Sequence, residues 1–75
     1  MVDTNSLKSA IAKKGYTQGE VARKIGISTQ SLNYKILNKT EFKVDEAYRL
    51  CAVLDISKEE MRNIFFTSKI DEKSN

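Results

Sequence analysis

Apolar residues recur three or four positions apart along most of this chain, and they alternate over no long stretch. The first spacing places them on one face of an α-helix, whereas a half-buried strand requires alternation. Val, Ile and Thr also show no clustering of the kind found in strands. The pattern therefore predicts an all-α fold with five helices and short connections. The helices are expected at about residues 6–14, 18–25, 29–37, 44–54 and 58–66.

The composition allows one small domain and little chemistry. The chain has 75 residues, of which 40% are hydrophobic, enough for a single core. We expect this domain at residues 1–66 and a polar, disordered tail at residues 67–75. The chain has no His and only one Cys. This excludes His-based catalysis, metal sites that use His, and any internal disulfide. Cys51 lies in the apolar stripe of the fourth helix and is expected in the core.

We accordingly predict that the chain is not an enzyme and has no catalytic residues, no metal, no cofactor and no small-molecule substrate. A small enzyme remains the least favoured alternative. No apolar run has the ~18 residues that a membrane span requires. The N-terminus shows no signal-peptide pattern, so a cytoplasmic protein is expected.

Charge is distributed unevenly along the chain. Residues 1–40 hold seven Lys or Arg and two acidic residues, whereas residues 41–75 hold six basic and eight acidic residues. Such asymmetry suggests that the first half meets a polyanion, although a solvated surface with uneven charges would look the same.

The most informative segment is TQGEVARKIGISTQSLNYKILN, residues 17–38. Thr17 and Glu20 have the spacing of a capping box at the start of the second helix. Gly26 allows the positive φ that a sharp exit from that helix often requires. Leu32 would anchor the third helix to the core and leave its opposite face polar. A helix held in this way suits the major groove of DNA.

This segment resembles the helix-turn-helix of phage repressors and Cro proteins, in the lambda-repressor-like family. The residues in register with that motif are Thr17, Gln18, Val21, Ala22, Gly26, Ile27, Ser28 and Leu32. The resemblance covers roughly residues 5–66 and implies a compact five-helix DNA-binding domain. The stretch KILNKTEFKVDEAYRLCAVLDIS is similar to small prophage-encoded members that lack a second domain. Departures from the family pattern are Gly19 inside the second helix, Asn38 in place of Gly, and Lys35 at a position that is often apolar.

The polar face of the third helix supplies the candidate base-reading residues, which are Thr29, Gln30, Asn33 and Tyr34. Gln30 is the strongest of them because its amide can donate to and accept from adenine together. Tyr34 could instead cover part of the core. A second group is expected to bind phosphates: Gln18, Ser28, Lys39, Thr40 and Lys43. For Gln18, which starts the second helix, this role is what the resemblance implies.

The expected partner is double-stranded DNA, as an operator with inverted repeats that a transcriptional regulator of Cro or repressor type occupies. One recognition helix reads few base pairs, so a weak homodimer is expected. Its candidate contacts are Ile64, Phe66 and Ile70. The alternative is an antitoxin or anti-repressor, which would use the same fold to bind protein.

Overall fold

The computed structural model describes the backbone of residues 1–73 and the side chains of residues 1–65. The backbone of this part is helical and contains no strand. The helices are α1 (Thr4–Lys13), α2 (Gln18–Ile25), α3 (Thr29–Ile36), α4 (Val44–Leu54) and α5 (Lys58–Lys73). The all-α helix-turn-helix fold is therefore confirmed.

Capping side chains account for where the helices begin. The predicted capping box of α2 is formed, since Thr17 Oγ1 accepts from Glu20 N at 3.0 Å and Glu20 Oε1 accepts from Thr17 N at 2.8 Å. The first helix begins earlier than predicted because Asp3 caps it, with its carboxylate accepting from Ser6 N at 3.2 Å and from Ser6 Oγ at 2.9 Å. An aspartate at this position satisfies an amide that would otherwise lack a partner.

The core lies where α1, α2, α3 and α4 face one another, with α5 packed alongside. Its largest fully buried side chains are Leu7, Ile25, Leu32, Ile36, Leu50 and Val21. Cys51 is also buried there, as predicted, and burial raises the pKa of its thiol. A neutral thiol behaves as a small apolar residue.

The fifth helix differs from the prediction at two points. Ile64, expected at a dimer contact, is only 6% exposed and belongs to the core of the single chain. Its neighbour Phe65 is buried with it, because the apolar face of α5 docks as a unit. The side chains of Phe66 and Ile70 lie outside the described residues. The backbone of α5 continues to Lys73, past the predicted end near Phe66, since no Gly or Pro interrupts it.

The N-terminal residues are held to the end of α3 by Asn38. This residue has a φ of 65°, a left-handed conformation that Asn tolerates better than most residues. Its Oδ1 accepts from Val2 N at 2.8 Å, and its Nδ2 donates to Val2 O at 3.0 Å. The Asn that replaces the usual Gly of the family pattern therefore joins α3 to the N-terminus, which a Gly could not do.

Candidate nucleic-acid interface

The turn between α2 and α3 has the left-handed backbone that Gly26 predicts. Gly26 adopts a φ of 83°, and Ile27 N donates to Ala22 O at 3.0 Å, which closes α2. Ala22 is 1% exposed, so a larger side chain would displace the packed helices. A Cβ on Gly19 would lie 3.5 Å from Thr29 Oγ1, which shows how closely the starts of α2 and α3 approach.

The exposed face of α3 carries all four predicted base-reading residues. Thr29, Gln30 and Tyr34 are exposed and Asn33 is half-buried, while Leu32 on the opposite face is completely buried. The helix is thus held by its apolar side and presents its polar side outward. Tyr34 is 39% exposed and does not belong to the core cluster.

Gln30 is held in place by Tyr34, one turn further along α3. Its Nε2 donates to Tyr34 Oη at 3.1 Å. A glutamine amide has two N–H donors and a carbonyl acceptor. One N–H and the carbonyl oxygen are therefore left for a base edge, which is the pair of groups that adenine recognition uses.

Two predicted phosphate ligands lie at helix N-termini. Gln18 is the first residue of α2, and Ser28 caps α3 by accepting from Ser31 N at 3.0 Å. The first amides of a helix have no partner within it and point outward, and the helix dipole is positive at this end. Both positions therefore suit a phosphate oxygen.

The other three predicted phosphate ligands lie in the connection between α3 and α4, residues 37–43. Lys39, Thr40 and Lys43 are all exposed. The beginning of the connection is fixed to α3, because Tyr34 O accepts from Lys39 N at 2.8 Å. Lys39 Nζ also lies 5.9 Å from the centre of the Tyr34 ring, which brings a positive charge beside the predicted base-reading residues.

A comparison with protein-family models matches residues 7–61 to a family described as helix-turn-helix. The match spans α2, the turn, α3 and α4 in full. The chain belongs to this lambda-repressor-like helix-turn-helix family. Comparisons with curated proteins and with solved structures gave no match.

Membership makes the protein a DNA-binding helix-turn-helix regulator. Within the described residues, no helix is both long and apolar enough to cross a membrane. The same residues contain no group of three or more His, Cys, Asp or Glu side chains placed to hold a metal ion.

One feature of this helix-turn-helix protein was missed by the sequence analysis. Lys35 of α3 is buried, and its Nζ lies 2.7 Å from Oε1 of the equally buried Glu46 of α4. The sequence did carry a signal, since Lys35 stands three residues after the core residue Leu32, on the apolar face of the helix. A charge at such a position requires a buried partner.

Glu46 has a second donor besides Lys35. Its Oε1 also accepts from Lys43 N at 2.9 Å, at the start of α4. Burial by itself raises the pKa of Glu46, but the hydrogen bonds from Lys35 and from Lys43 N, with the positive charges of both lysines, outweigh it and lower the pKa below its ordinary value. The carboxylate is thus charged at neutral pH.

Acid should weaken the fold through this carboxylate. The pKa of Glu46 is lower in the folded protein than in the unfolded chain, where it is about 4.3. The contribution of Glu46 to the free energy of unfolding is therefore complete above the unfolded pKa, and it decreases as the pH falls through the folded pKa. Glu46→Gln should therefore flatten the dependence of stability on pH in this acid range. Urea unfolding followed by circular dichroism at several pH values measures this, with Asp45→Asn of the exposed Asp45–Arg49 pair as the control. Parallel curves for Glu46→Gln and the wild type would contradict the assignment.

Proposed function

We propose that the protein is a sequence-specific transcriptional regulator of the phage repressor or Cro type, which acts in the cytoplasm and occupies an operator with α3 in the major groove. The observation that carries this proposal is the exposed polar face of α3, on which Tyr34 holds the Gln30 amide with its acceptor and one donor available.

The proposed phosphate ligands surround this face on two sides. Gln18 and Ser28 lie at the N-termini of α2 and α3, and the exposed Lys39 and Lys43 lie in the connection that follows α3. Contacts to phosphate position a protein on the duplex, while contacts to base edges give specificity. Both kinds of group are present on the α2–α3 unit and the connection after it.

We further propose that two copies occupy an operator with inverted repeats. A single recognition helix reads too few base pairs to select one site among the ~10⁶ or more that a genome offers. Since Ile64 is buried in its own chain, the proposed contact between copies now depends on Phe66 and Ile70.

An antitoxin or anti-repressor that binds protein is the second candidate, and exposed apolar side chains on α4 favour it. Val44 is 74% exposed and Tyr48 is 61% exposed, one helical turn apart on the same face. Together they offer a small apolar surface that a protein partner would cover. This candidate does not require the polar face of α3 to bind anything.

Gln30→Ala should lower affinity for an operator that the wild-type protein has selected from a random DNA pool, by ~1–3 kcal/mol, with little change on random DNA. Lys39→Ala should weaken binding to both DNAs alike. It should also reduce the slope of log affinity against log salt concentration by about one. Gel shifts at several salt concentrations measure both effects.

The controls separate the two candidate functions. Wild-type affinity for DNA that does not fall with salt would contradict the DNA-binding proposal and favour the protein-binding one. Equal losses on operator and random DNA for Gln30→Ala would show that Gln30 does not read bases.

A further inference from the structure

The buried Lys35–Glu46 pair has contacts that its contribution to packing does not explain. Lys35 Nζ donates to Glu46 Oε1 at 2.7 Å and to Glu41 O at 3.3 Å, and it lies 5.9 Å from the centre of the Phe42 ring. Glu46 Oε1 accepts in addition from Lys43 N. Three consecutive residues of the connection, 41–43, therefore meet this one pair.

Stability alone does not require an ion pair here. The desolvation of two charges costs about as much free energy as their attraction contributes. An apolar pair of similar volume often stabilises a core as well or better. An apolar pair could not bind the Glu41 carbonyl or the Lys43 amide, however. The bond from Lys43 N belongs to the capping box at the start of α4, so the property specific to the ion pair is that Lys35, held by Glu46, binds the Glu41 carbonyl of the connection.

The connection is thus fixed to α3 at both of its ends. At its beginning, Tyr34 O accepts from Lys39 N at 2.8 Å and from Thr40 N at 3.4 Å. At its end, Lys35 and Glu46 hold residues 41–43. Both anchors on the α3 side, Tyr34 and Lys35, are adjacent residues of the proposed recognition helix.

We propose that Lys35 and Glu46 are positioning residues for DNA binding, which fix the phosphate ligands Lys39, Thr40 and Lys43 relative to the base-reading face of α3. The inference rests on the proposed function, because it assumes that α3 and the connection bind one duplex. Neither Lys35 nor Glu46 touches DNA, since both side chains are buried.

The test replaces the pair by apolar residues of similar size, Lys35→Met with Glu46→Leu. The matched control is Arg49→Met with Asp45→Leu, which removes the exposed Asp45–Arg49 pair, 3.3 Å apart on α4. Each double variant loses one positive and one negative charge, so the net charge is unchanged. The probe is duplex DNA of random sequence, for which binding depends on phosphate contacts and no operator need be known.

We expect the Lys35→Met, Glu46→Leu variant to be folded by circular dichroism and to bind the duplex roughly tenfold more weakly. The slope of log affinity against log salt concentration should decrease by about two, because Lys39 and Lys43 would no longer be placed against phosphates. The control should match the wild type in affinity and salt dependence. A pair that only stabilised the fold would not change the salt dependence of a folded variant.

Three outcomes would overturn the inference. A folded Lys35→Met, Glu46→Leu variant with wild-type affinity and salt dependence would show that the connection needs no ion pair. A control that loses as much as this variant would show that the effect is not specific to the buried pair. A variant that stays unfolded even with trimethylamine N-oxide, which favours compact states, would show that the pair serves stability. If the wild type itself shows no salt-dependent binding, the proposed function fails first.

Discussion

Replacing Leu32 with Ala should remove roughly 2–5 kcal/mol from the free energy of unfolding. Leu32 is completely buried at the centre of the core, where α3 meets the other helices, and its truncation leaves a cavity that close-packed neighbours fill only in part. At ~0.05–0.15 kcal/mol per residue, a chain of this length has a total stability of the same order. Much of the variant should therefore be unfolded at 37 °C, with loss of helical circular dichroism and of DNA binding.

Leu37→Ala is the matched control. Leu37 lies five residues later, at the C-terminal cap of α3, and is 40% exposed. Its truncation should cost well under 1 kcal/mol, as is usual at the surface. Urea unfolding of the two variants and the wild type measures the difference. Comparable losses at both positions would contradict the assignment of Leu32 as the anchor of α3.

Phe66→Glu should abolish cooperative filling of the two half-sites of an operator while each chain stays folded. The expected reason is that α5 of one copy meets α5 of the other through Phe66 and Ile70, and a carboxylate buried in so small an interface would have no partner. The half-sites should lie about one helical turn apart, ~34 Å. Gel shifts on operators with one and with two half-sites measure the cooperativity, and circular dichroism checks the fold.

Tyr48→Glu is the comparison variant for this experiment. It places the same charge on the exposed face of α4, where Tyr48 and Val44 form the alternative apolar contact surface. Cooperativity that survives Phe66→Glu and is lost in Tyr48→Glu would move the contact between copies to α4. Cooperativity that survives both would show that the interface includes neither residue.

Local features of the helix-turn-helix were predictable from the sequence because their causes lie within a few residues. The capping box needs only Thr17 and Glu20, and the left-handed exit from α2 needs only Gly26. The period of the apolar residues placed Leu32 inside and Gln30 outside. These inferences depend on hydrogen bonds and side-chain directions that a single helix determines.

Ile64 shows where this reasoning failed. The sequence shows which residues of α5 are apolar, and the number of them that the core can accommodate depends on the space left by the other helices. In the structure Ile64 and Phe65 both enter that space, and Phe42 of the connection packs edge to face against Phe65 at 5.4 Å. The volume available to α5 is a property of the packed helices.

By itself the sequence determined the five helices, the helix-turn-helix and the polar face of α3, because each follows from spacing and capping along one segment. The tertiary structure alone decided which distant residues meet. It paired Lys35 with Glu46, joined Asn38 to Val2 and buried Ile64. These contacts join residues far apart in the chain, and the periodicity that predicts a helix carries no information about which face of another helix it will meet.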